Sequence, residues 1–162
     1  MFRRAEGGTT AIEFGLLAMP FFLMMFVIME LGMILFTENA IQFGVEESGR
    51  ILRTDGRGTM TGMDFRDMIC NRAAVVIGCN ERLGLSVTSA RKFADVANPG
   101  IADIEPGDVS AFTPGGAGDA VVVIATYDWE FISLFMRPLA NLANPNARRL
   151  HGITAFRTEL LE

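Results

Sequence analysis

The sequence predicts an α+β chain: a long N-terminal transmembrane α-helix that continues into a small domain with a short helix and a roughly three-stranded antiparallel sheet. Three observations predict it. From Phe14 to Phe36 the only charged residue is Glu30. Beyond that run Ile41, Val45, Ser48 and Leu52 recur at i, i+4, i+7 and i+11, an amphipathic helical stripe. After the glycine-rich Asp55–Gly62 the period shortens, with Leu83, Leu85 and Val87 alternating, then Val121, Val123, Tyr127, Trp129 and Phe131.

The apolar run is long enough to cross a bilayer once. At ~1.5 Å per residue, Phe14–Phe36 makes a helix of about 34 Å, against a hydrocarbon core of roughly 30 Å. Leu, Met, Phe and Ile fill it, and one helix satisfies all its backbone groups internally. Arg3 and Arg4 lie on the N-terminal side, whereas Glu38, Glu46 and Glu47 precede the first base, Arg50, on the other. Positive residues remain in the cytoplasm, so the N-terminus is expected inside and the domain outside. An ordinary secretory signal has a shorter apolar core followed by a small-residue cleavage site. Here the small residues Gly7, Gly8, Thr9 and Thr10 come before the core. A cut, if made, belongs on the cytoplasmic side and leaves the helix on the mature chain.

The helix is expected from Thr9 to about Arg53, with Pro20 introducing a kink because it cannot donate to the carbonyl of Leu16. Glu13 stands at the cytoplasmic edge of the span. Glu30 lies ~9 Å before its outer end, placed either to reach the outer interface or to pair with another subunit. Ala40 and Gly44 are small residues four apart, which permits close helix contact.

In the domain, Asp64 reads as a helix N-cap, Phe65, Met68, Ile69, Ala73, Val76 and Ile77 as one helical face, and Gly78 as the stop. Cys70 and Cys79 are expected to form a disulfide in an oxidising compartment, worth roughly 2–3 kcal/mol in the chain-entropy model. Residues 83–91 read as a first strand. Val96–Gly118 reads as a long irregular connection, in which Asp103, Glu105 and Asp108 lack calcium-loop spacing. Ala120–Phe131 reads as the strongest strand, with Thr126, Asp128 and Glu130 on the face opposite Val121, Val123, Tyr127, Trp129 and Phe131. Ile132–Ala143 reads as a short helix or lid, Arg148-Arg149 as a solvated pair, and Gly152–Leu161 as the closing strand.

Composition narrows the function. With 19 acids, 14 bases, a net charge of −5 and Lys92 as the one lysine, the chain lacks the basic clusters that nucleic-acid binding requires. No Walker loop, G-x-G-x-x-G, G-x-S-x-G or H-E-x-x-H is present, and His151 is the sole histidine. No catalytic residue, cofactor or metal site is expected.

The stretch Gly8-Thr9-Thr10-Ala11-Ile12-Glu13-Phe14 resembles the processing motif of the tight-adherence (Tad, or Flp, type IVb) pilins. Ala11-Ile12-Glu13-Phe14, Pro20 and Glu30-Leu31-Gly32 more closely resemble the TadE-like family of pseudopilins and minor pilins, which includes TadF and TadG. Glu46-Glu47-Ser48-Gly49-Arg50-Ile51-Leu52-Arg53-Thr54 continues that resemblance. Looser matches follow at Phe65 with Cys70, Cys79, Val121–Trp129 and Phe156-Arg157-Thr158-Glu159. The resemblance implies a pilin-like fold in three parts: a leader peptide at 1–8, the long helix at 9–54 (transmembrane about 14–36), and a periplasmic domain at 55–162. It implies cleavage by a prepilin peptidase after Gly8, making Thr9 the new N-terminus, Glu13 the fifth mature residue and Phe14 the sixth. Glu13 would then pair with the new α-amino group of its own or a neighbouring subunit. The implied role is assembly of a Tad pilus for surface adhesion, with the bacterial inner membrane, other Tad pilins or pseudopilins and the Tad assembly platform as partners. The alternative is an uncleaved, membrane-anchored assembly factor or adaptor.

Overall fold

The computed structural model describes residues 7–54 (side chains from Ala11), 60–74, 76–97 and 100–159. Residues 1–6 of the expected leader and 55–59 of the glycine-rich link lie outside the described residues.

Helix α1 spans Gly7–Thr54 and runs through Pro20 without a break in its helical assignment. Its two halves have different surroundings. From Ala11 to Met33 nearly every side chain is exposed, and only 11% of its most apolar window is buried. A soluble core helix would bury most of such a window. The exposure is compatible with a single-pass membrane anchor, in which lipid rather than protein covers such a surface. Further out the helix buries one stripe. Ile41, Val45, Ser48 and Leu52 are all buried, as their spacing predicts. The stripe begins earlier than the sequence suggested: Val27 packs on the core, and Glu30, Ile34 and Thr37 are buried on the same face.

Helix α2, Gly62–Arg72, crosses α1 where Gly44 leaves room. A Cβ there would stand 2.9 Å from the carbonyl oxygen of Ile69 and 3.3 Å from the Cβ of Ala73. Gly44 thus sets the distance between the helices. Thr61, not Asp64, is the N-cap of α2. Asp64 is the third residue of a capping box: its amide donates to Thr61 Oγ1 (3.2 Å), and its carboxylate accepts from the Thr61 amide (3.1 Å) and hydroxyl (2.6 Å). Those donors hold the Asp64 carboxyl below its ordinary pKa. Folding thus favours its ionised form. That contribution is complete above the ordinary carboxylate pKa and fades as pH falls through the lowered one. Thr61→Ala is expected to cost about 1 kcal/mol at neutral pH. Its deficit should shrink as pH falls below the ordinary carboxylate range, read by chemical unfolding of the full chain in detergent.

The helix expected to run on to Ile77 stops at Arg72. Ala73 takes a non-helical conformation, Gly78 adopts the left-handed one (φ 63°), and a short helix α3 follows at Cys79–Arg82. Phe65, Ile69, Ala73 and Val76 are buried as expected, but Ile77 is exposed.

The sheet has four strands, β1 (Leu83–Ala90), β2 (Val109–Phe112), β3 (Ala120–Glu130) and β4 (Ala147–Arg157), in the order β2-β1-β3-β4. β1, β3 and β4 form the expected antiparallel trio. β2, inside the stretch read as irregular, adds a fourth strand parallel to β1. Only four residues long, it is too short for its alternation to stand out against the surrounding Pro, Gly and Asp. The rest of that connection folds over the outer face of the sheet. Ile104 is fully buried there, and so is Thr126, on the face opposite Val123 and Tyr127. β4 begins at Ala147, five residues before the expected closing strand, and so takes in Arg148 and Arg149.

Candidate membrane-interface and assembly site

The expected site residues lie at three levels along α1. Gly8 and Thr9 belong to the first turn of the helix, which begins at Gly7, so the bond between them lies in helical backbone. Glu13 and Phe14 are exposed on the bare half.

Glu30 is placed differently from either sequence reading. It is 2% exposed, and its carboxylate is engaged within its own chain. Oε1 accepts from the amide of Ile132 at 2.6 Å and Oε2 from the amide of Ser133 at 3.0 Å. These amides belong to the turn leaving β3, just before a 3-10 helix at Leu134–Leu139. Charge-assisted bonds to paired amides are among the stronger hydrogen bonds, and here each partner relieves the other. The buried acid gains donors, and the irregular turn gains acceptors for amides that no strand satisfies. Sequence alone could not find this contact, because it joins positions 102 and 103 residues apart.

Further along α1, Gln42 does for β4 what a neighbouring strand would do. Its side-chain amide accepts from the Ile153 N–H at 2.9 Å and donates to the Ile153 carbonyl at 3.1 Å. An outer-edge backbone pair is thereby capped, which blunts edge-to-edge association. Gly152 makes room for the helix: a Cβ there would meet the Gln42 backbone at 3.1 Å.

Cys70 and Cys79 form the expected disulfide, with Cα atoms 5.6 Å apart. It ties the end of α2 to the start of α3 across the turn where the helix breaks. Both cysteines are buried in the core. Replacing the pair with Ser is expected to cost about 2 kcal/mol, measured by unfolding of the full chain with and without reductant. An unchanged midpoint would make the bond incidental to stability.

Arg149 and Asp128 make the buried polar contact that sequence reading missed. Arg149 Nε and Nη2 donate to the two Asp128 carboxylate oxygens at 2.6 and 2.8 Å, and Nη1 donates to the carbonyls of Ile101 (3.2 Å) and Ala102 (2.9 Å). The two residues are opposite partners on β4 and β3. The Arg-Arg pair read as a solvated loop is therefore half structural: Arg149 is buried and Arg148 is partly exposed. Alternation along β3 did put Asp128 beside Thr126, but the covering connection that encloses them left no periodic signal.

Asp103, Glu105 and Asp108 do not converge. Among the described residues no cluster of three or more His, Cys, Asp or Glu side chains has the arrangement of a metal site. His151 lies in an open groove with Glu38, Asn39 and Gln42.

Residues 8–50 match the sequence profile of a family described as TadE-like protein. The matched segment includes Gly8, Thr9, Glu13, Phe14 and Glu30, and it stops before α2 and the disulfide. No curated protein and no solved structure matches the chain.

Proposed function

We propose that this chain is a TadE-like minor pilin or pseudopilin that takes part in assembling a Tad (Flp, type IVb) pilus for surface adhesion. The observation that carries the reading is the TadE-like match over 8–50, which coincides with the bare, membrane-length half of α1 and its polar junction. On this reading the inner membrane holds α1 with the N-terminus in the cytoplasm and the domain in the periplasm. A prepilin peptidase cuts between Gly8 and Thr9, and the role is structural rather than enzymatic. The new α-amine, with a pKa near 8, remains mostly protonated at neutral pH and pairs with Glu13 of its own or a neighbouring subunit. Other Tad pilins and the assembly platform are the partners.

A second reading is a permanently anchored assembly factor. It is favoured by the helical backbone at Gly8, since proteases generally take extended chain and α1 already begins at Gly7.

Variants at the two positions separate the readings. Gly8→Leu should leave the chain full length, inserted and unable to support pili. Glu13→Ala should still be cut yet fail in assembly. Glu13→Gln, similar in shape but uncharged, should fail likewise if pairing is the reason. Normal piliation by both Glu13 variants would reduce Glu13 to an acid favoured by the helix dipole. Normal piliation by uncut Gly8→Leu would select the anchored factor.

A further inference from the structure

We infer that the turn between β3 and β4 is a second membrane contact, inserted into the outer-leaflet interface beside α1, with Ile132, Leu134 and Phe135 as its apolar points. The inference rests on the membrane-anchored reading above and goes beyond it.

The depth follows from the register of the domain against α1. Counting ~30 Å of hydrocarbon from Phe14 at ~1.5 Å per residue brings the outer boundary to about Ile34. The domain does not wait for that boundary. Its core reaches down α1 to Val27, and the Glu30 carboxylate holds the Ile132 and Ser133 amides about 6 Å inside it. Leu139, at the end of the 3-10 helix, shares a groove with Leu31, Ile34 and Leu35. The turn therefore lies alongside the last apolar turns of the span, at the 5–10 Å depth typical of interfacial insertion.

The side chains match that position. Ile132, Leu134 and Phe135 are 77%, 68% and 64% exposed, a large apolar surface for one short turn. Leu35 and Phe36 of α1 are exposed too, at 52% and 62%. Met136 points the other way and is buried in the core, so the turn is anchored and its apolar points are held outward. Arg137 is exposed on the same turn, with the reach to place its charge among headgroups. The occupant is lipid, because Glu30 and the groove that Leu139 shares with Leu31, Ile34 and Leu35 hold the turn beside the end of the proposed span.

The test uses the full chain reconstituted in phosphatidylcholine–phosphatidylglycerol vesicles, with or without brominated acyl chains. Trp129→Phe supplies a tryptophan-free background; the indole N–H it removes is buried without a partner. In that background Phe135→Trp should lose about half or more of its emission in brominated vesicles. Phe26→Trp in the span should be quenched as well. Phe93→Trp should not, since Phe93 follows the far end of β1, opposite the start of β3. An unquenched Phe135→Trp beside a quenched Phe26→Trp overturns the insertion, whether water or a second copy covers the turn, and leaves the anchor intact. If Phe26→Trp is unquenched too, the anchored reading itself fails. A second measurement spares Trp129: Phe135→Cys in vesicles should react with a membrane-impermeant maleimide about tenfold more slowly than Phe93→Cys. Equal rates would overturn the proposal.

Discussion

Asp128→Ala is expected to destabilise the domain by about 3–4 kcal/mol, among the largest losses from any single polar truncation in it. The Arg149 side chain is 8% exposed and that of Asp128 23%, so the pair is shielded but not sealed. Its fork geometry is bidentate, and the Asp128 carboxylate holds the guanidinium pKa above its ordinary value despite burial. Removing the carboxylate therefore leaves a cation that does not shed its proton and has only the carbonyls of Ile101 and Ala102 to face. Asp128→Asn retains one acceptor and most of the shape, and should cost about 1–2 kcal/mol. The same change should loosen the connection between β1 and β3, because Arg149 pins Ile101 and Ala102 to the sheet. Chemical unfolding of the full chain in detergent gives the energies, and limited proteolysis across 91–118 gives the loosening. A loss under about 0.5 kcal/mol would place the pair with ordinary surface ion pairs.

Glu30→Ala should cost a comparable amount, about 3 kcal/mol, for the opposite electrostatic reason. Here the carboxylate is what disappears, and two part-buried backbone donors are left. Each unsatisfied amide costs about 1–3 kcal/mol where water cannot replace the acceptor. Glu30→Gln keeps one oxygen for one amide but turns an NH2 toward the other, and should fall in between. Local damage is expected to exceed global damage. Amide exchange at Ile132 and Ser133 should accelerate, while Ile41, Val45 and Leu52 hold α1 to the sheet. If both variants protect these amides as well as the unsubstituted chain does, the clasp contributes nothing and Glu30 is free for another subunit.

The parts of the fold that sequence revealed are those built on short-range repetition. The stripe Ile41-Val45-Ser48-Leu52 declared both the helix and its buried face. Alternation in 83–90 and 120–130 declared two strands, and the chain's two cysteines declared their bond. Gly44 and Gly152 illustrate the limit. Gly44 was legible as a small residue, but the carbonyl of Ile69 it admits was not. The Gly152 position against Gln42 depends on a contact over 100 residues away. Glu30, Asp128 and Arg149 share that reason: each looked solvent-directed or free for a partner because its actual partner lies far along the chain. β2 was missed because four residues in a Pro- and Gly-rich setting carry too little pattern. The α2 break was missed because Ala73–Ile77 keeps an apolar helical spacing, and only the backbone at Ala73 and Gly78 shows the turn.

Intact-mass and N-terminal peptide mass spectrometry of protein extracted from the envelope decides whether the proposed cut between Gly8 and Thr9 is made. A processed minor pilin should give a mature chain beginning at Thr9, lighter by Met1–Gly8 and more acidic, since that segment carries two Arg and one Glu. A population retaining Met1–Gly8 in cells that are assembling pili would contradict it.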